Sequence, residues 1–109
     1  MKIDQYHTFE AEHYLRMTVT PALKEAEADL SAAEDKAADL FEAVLEAEKD
    51  LSISDAEADR RYDAWAVAAV YHKELEAIVE RWTDIADCLK KIVADLQDLE
   101  DIQNDMGQA

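Results

Sequence analysis

Apolar side chains recur along this chain at spacings of three and four, the period of a helix, from near its first residue to near its last. Tyr6, Phe9, His13 and Met17 mark one face of a first helix over about residues 7–19. Leu23, Leu30, Ala37, Val44 and Leu51 then fall seven apart, with Ala26, Ala33, Leu40 and Ala47 three residues on. That is a heptad with apolar a and d positions over about residues 21–51. A third stripe steps by four and three through Ala64, Ala68, Tyr71, Leu75, Ile78, Trp82, Ile85, Leu89, Ile92, Leu96 and Leu99, on a helix over about residues 55–105. Trp65, Val79, Ala86 and Val93 lie along one flank of it and widen the band beyond a two-helix seam.

Two breaks separate these elements. Thr20-Pro21 suits a fresh helix start, with Thr20 as N-cap and Pro21 in the first helical position; a proline further inside a helix would clash with the carbonyl of Met17. Ser52-Ile53-Ser54 is a turn, and Ser54-Asp55-Ala56-Glu57 reads as a capping box in which the serine caps the new helix and Glu57 reaches back. So short a turn makes the second and third helices antiparallel neighbours. At 1.5 Å per residue the third spans about 75 Å, the second about 46 Å and the first about 18 Å. The expected fold is all-α: an elongated, coiled-coil-like antiparallel helical hairpin with a short N-terminal helix, three helices in one domain covering residues 1–109. The first two helices give too little cover for the band on residues 75–99. A homodimer interface is therefore expected at Trp82, Ile85, Leu89, Ile92, Leu96 and Leu99; the rival is a monomer whose third helix folds back near Thr83.

Composition agrees with helices and narrows the function. One Gly and one Pro in 109 residues are too few for the turns of an all-β or Rossmann-like fold. Twenty alanines leave a thin core, because each buries little area. No apolar run reaches the roughly 18 residues of a membrane span, and Met1-Lys2-Ile3-Asp4-Gln5 lacks the apolar core of a signal peptide. A single cysteine, Cys88, excludes an internal disulfide framework and suits a reducing, cytoplasmic location; its place beside Leu89 suggests partial burial.

Charge changes the picture most. The net charge is -16, which opposes direct binding to nucleic acid or to an anionic membrane. Residues 25–63 carry fourteen acids against four bases, and residues 84–109 seven against two. Acidic runs ordinarily serve as a solvated face, but here like charges stand four apart at Glu42/Glu46, Glu46/Asp50, Asp55/Asp59 and Asp59/Asp63. Each such pair costs about 0.2–0.5 kcal/mol on an isolated helix. Opposite-charge pairs are fewer: Glu12/Arg16, Glu57/Arg61, Asp87/Lys91 and Lys91/Asp95. Two adjacent helices of about 40 Å would show one acid per roughly 2–3 Å of axis, within a factor of two of the ~1.7 Å per phosphate of duplex DNA. The candidate partner-binding residues are Glu42, Glu46, Asp50, Asp55, Asp59 and Asp63, with Tyr62 as an aromatic anchor beside them.

Catalytic chemistry finds no footing in the pattern. His7 and His13 stand six apart, on different faces of a helix, and no His or Cys spacing matches a zinc site. Glu10-Ala11-Glu12-His13 fits one Glu-x-x-His motif where a di-iron bundle needs two. No enzyme, metal or cofactor is expected. His72 is read as a packed or interfacial histidine, and Arg60-Arg61 as partners for acids of the second helix.

The tracts Glu25-Ala26-Glu27-Ala28-Asp29, Glu46-Ala47-Glu48-Lys49-Asp50 and Asp55-Ala56-Glu57-Ala58-Asp59, on a small helical chain, resemble the phage-encoded inhibitors that imitate nucleic acid, several anti-CRISPR proteins among them. The resemblance is one of type rather than motif. It implies a non-enzymatic inhibitor in the host cytoplasm that occupies a basic, nucleic-acid-binding surface, such as the channel of a CRISPR effector or another nuclease. The alternative is a structural or assembly coiled coil of virion, secretion or chaperone type, acting through the apolar stripe of the third helix.

Overall fold

A computed structural model describes residues 5–108, and every regular element in them is helical. Helix α1 is Gln5–Tyr14, a π-helical segment covers Leu15–Val19, α2 is Thr20–Lys49, and α3 is Asp55–Gln108. The first three run on without interruption, so two helices joined by one turn replace the expected three. α3 is helical without a break through Thr83.

The fresh start at Thr20 does not occur. An N-cap residue takes extended backbone angles, whereas Thr20 is helical at φ -61° and ψ -46°. Its N–H donates to the carbonyl of Leu15, five residues back. The chain thus meets Pro21 with a π turn rather than a helix end. The proline has no N–H to continue the ladder, and the wider turn moves the preceding carbonyls off its ring.

The chain divides into two compact units: Met1–Lys24 with Glu80–Ala109, and Glu25–Val79. In the first, Thr8 Oγ1 donates to Glu100 Oε2 at 2.7 Å and Gln97 Nε2 to Glu12 Oε1 at 3.0 Å, an antiparallel pairing. Its core is Val19, fully buried, with Ala86 and Thr8. The sequence stripe of the first helix is corrected here. Phe9, His13 and Met17 face solvent, and Thr8, Ala11, Leu15 and Val19 turn inward; the side chain of Tyr6 lies outside the described residues. The aromatic residues were misleading because Phe9 and His13 satisfy each other, stacked at 5.6 Å.

The second unit is an antiparallel hairpin: Arg61 reaches the carbonyl of Ala43 at 3.1 Å, and the rings of Phe41 and Trp65 sit 5.6 Å apart. The α2 heptad packs as its spacing predicts, with Ala26, Ala33 and Val44 buried; only Leu51 leaves the series, fully exposed in the turn. Ala68 and Leu75 of α3 are buried.

Along α3 the expected stripe splits by rows. Ala68, Leu75, Trp82, Leu89 and Leu96 are covered, as are the flanking Trp65, Val79, Ala86 and Val93. Ala64, Tyr71, Ile78, Ile85, Ile92 and Leu99 are exposed. The covered band is narrower than the sequence stripe and is centred one row away from its middle. The residues read as a flank share the covered band with Ala68 and Leu75, and one full row is left outside it.

Candidate functional site

The acidic end of the second unit is built on a tightly bonded turn. Asp50 Oδ1 accepts from the backbone N–H of Ser52 at 2.9 Å and from its hydroxyl at 2.6 Å, an Asx-type closure. These two bonds, led by the hydroxyl, hold the Asp50 carboxyl below its ordinary range. Ser54 Oγ accepts the N–H of Glu57 at 3.2 Å, the N-cap that the sequence predicts.

Glu57 itself does something else. Its carboxylate takes the forked guanidinium of Arg60 at 2.7 and 2.8 Å and Nε of Arg61 at 3.1 Å. Hydrogen bonds from Arg60 first and Arg61 second pull its pKa down to about 2, and the same contact raises that of Arg60. Arg61 also lies 3.7 Å from Glu46 Oε2, which ties α3 to α2. Of the expected arginine pairings, Arg61 reaches an acid of α2, and Arg60 is spent on its own helix.

All six candidate acids and Tyr62 are exposed. The structure does not gather them onto one flat face. Arg61 and Trp65 point at α2. At 100° per residue, Asp59 and Asp63, each two residues from Arg61, project about 160° away from it. Glu42 stands nine residues from buried Ala33, which puts it on the far side of α2. The acids therefore surround the end of the hairpin. They also differ in availability: Asp50 closes the turn and Glu46 leans on Arg61, whereas no ion pair or hydrogen bond within the described residues engages Glu42, Asp55, Asp59 or Asp63. Tyr62 packs its ring 5.6 Å from Trp65 while staying 55 % exposed, so it is held in place yet reachable.

No family model, curated protein or solved structure matches the chain. The roles of these residues rest on their geometry.

Two further features lie outside the acids. A groove of about 680 Å³ in the second unit is lined by Ala32, Ala33, Leu40, Ala64, Val67, Ala68 and Tyr71, with Asp29, Lys36 and Asp63 at its walls. In the first unit, the expected dimer residues separate. Trp82, Leu89 and Leu96 are half-buried within the chain; Ile85, Ile92 and Leu99 stand outside it, exposed by 41, 43 and 44 %. Cys88 belongs with the second group: it is exposed rather than partly buried, because one residue from Leu89 is a 100° turn away from the seam. His72 is half-buried, with Nε2 3.4 Å from Glu76 Oε1. Glu10, Glu12 and His13 are exposed, and Glu12 is occupied by Gln97. Among the described residues, no three His, Cys, Asp or Glu side chains are arranged to hold a metal ion. No helix among them is long and apolar enough to cross a membrane.

Proposed function

We propose that the acidic hairpin end of the second unit is a protein-binding surface that takes the place of nucleic acid on a basic partner, in the manner of nucleic-acid-imitating inhibitors. The observation that carries the reading is the distribution of Glu42, Asp55, Asp59 and Asp63: exposed, unengaged, and spread around two adjoined helices rather than along one side. Phosphates surround a duplex axis in the same sense. A groove that grips a duplex from several directions would meet carboxylates from several directions here. The unit holds sixteen acids against five bases, so long-range attraction favours fast association that weakens with salt. Tyr62 supplies apolar area at the same end, where charge alone gives little affinity.

Competition tests this. The immobilised chain is loaded with proteins from a cell extract and washed with a short duplex DNA at constant ionic strength. The expected result is that duplex releases the bound proteins, and that these are nucleic-acid-binding proteins. Release by salt but not by duplex would overturn mimicry. The exposed row Ile85, Ile92 and Leu99 favours a second reading, an assembly protein acting through α3, with the acids keeping it dispersed. On that reading the captured proteins survive both the duplex and reversal of Glu42, Asp59 and Asp63.

A further inference from the structure

The uncovered row in the first unit carries a charge pattern that identifies its occupant. Ile85 and Ile92 are exposed to the same degree and lie on one line of α3, with exposed Cys88 beside them. On the side of that line away from the intrachain seam stand four exposed charges, in order Arg81, Asp84, Lys91 and Asp95. None of the four has an ion pair within the described residues, although Lys91 and Asp95 are spaced to make one.

The order of signs is plus, minus, plus, minus, and it inverts when the segment is read backwards. Arg81 and Asp95 have their midpoint at Cys88, and the midpoints of Asp84 with Lys91 and of Ile85 with Ile92 fall half a residue to either side of it. Laid against a second α3 running the opposite way, the segment sets positive on negative at both ends and isoleucine by isoleucine between them. Laid in register against one running the same way, it sets Arg81, about 40° from the Ile85 line, near Arg81. An isologous interface needs this property: residue i meets j, and j meets i. Asp87 and Asp98 border Lys91 on its outer side, and Asp87 lies about 160° from Ile85, outside the row itself.

We infer that a second copy of this chain covers the row, with the two α3 segments antiparallel about a twofold axis at Cys88. Ile85 packs beside Cys88 and Ile92 of the partner copy, Arg81 pairs with Asp95, and Asp84 with Lys91. The contact is made by apolar area, and the charges choose direction and register by penalising the alternatives. The half-buried Trp82, Leu89 and Leu96 line the inner edge of this face, where each copy's own seam meets the new one. The inference does not depend on the acidic hairpin end and would stand if that surface proved only solubilising.

Sedimentation equilibrium and site-directed crosslinking test it on the full chain. The parent is expected to dimerise. Arg81→Glu, which places acid on acid at two symmetric points, weakens the dimer by about tenfold. Arg81→Glu with Asp95→Arg restores it to within about threefold of the parent, because the swap preserves complementarity. These are exposed surface changes, and circular dichroism confirms that each variant keeps its helix. Direction is read separately in a Cys88→Ala background: Arg81→Cys chains mixed with Asp95→Cys chains crosslink to each other through a short bis-maleimide, and neither crosslinks to itself. A parent that stays monomeric at about 100 μM, well above a useful Kd, overturns the proposal. So does a double variant no tighter than the single one, or self-crosslinking of Arg81→Cys chains, the signature of a parallel pair.

Discussion

Glu57 accepts three hydrogen bonds from two arginines, and its carboxyl is drawn from an ordinary 4.5 to about 2. A carboxyl whose pKa is lower in the folded chain than in the unfolded one adds stability above the unfolded value. That contribution is lost as pH falls through the folded value, so the window here is from about 4.5 down to about 2. A carbon-detected NMR titration is expected to show Glu57 still ionised at pH 3, and Arg60→Ala to move its midpoint back towards 4.5. A midpoint unmoved by that change would contradict the assigned cause. The residue also shows where the sequence ran out. Ser54 as N-cap was legible, because Ser followed by a helix-forming run has few other uses. The partner of Glu57 was not, since capping-box geometry and an i,i+3 or i,i+4 ion pair compete for one carboxylate and the same spacing permits both. Nor did the sequence show that the Asp50 carboxylate closes the turn through Ser52.

At the scale of elements, helical character and the position of the Ser52-Ile53-Ser54 turn were readable, because heptad spacing over tens of residues leaves no other period. What failed was the reading of Pro21 as a boundary. Steric reasoning forbids proline inside an ideal helix; it does not forbid one immediately after a π turn, and no side-chain signal distinguishes the two. Replacing the ring by Pro21→Ala returns a backbone donor at that point. Denaturant unfolding is expected to show a gain of about 1 kcal/mol, the net worth of one hydrogen bond. A loss of that size would mean that the ring itself stabilises the wide turn. The α3 stripe failed differently. Its members were identified correctly, but a stripe wider than its seam does not say which rows the neighbours cover. The segment before Glu25 packs against this half of α3 through Thr8, Ala11, Leu15 and Val19, and that single row leaves Ile85, Ile92 and Leu99 uncovered.

For the whole molecule, the excess of acid is the property that the fold leaves unexplained. The turn uses Asp50, the arginines use Glu57 and Glu46, and Thr8 and Gln97 use Glu100 and Glu12. The hairpin end still presents Glu42, Asp55, Asp59 and Asp63 with no partner among the described residues, at like-charge spacing that costs helix stability. Their number was legible in the sequence; their arrangement around both helices was not, because helical phase relative to a neighbour depends on which rows pack. The direct measurement is neutralisation without change of shape: Glu42→Gln, Asp59→Asn and Asp63→Asn together, assayed for thermal midpoint and for retention of the proteins that duplex DNA releases from the parent. The midpoint is expected to equal or exceed the parent's, as repulsion is relieved, with most of the bound protein lost. A variant that is as stable and still holds those proteins in full would contradict mimicry.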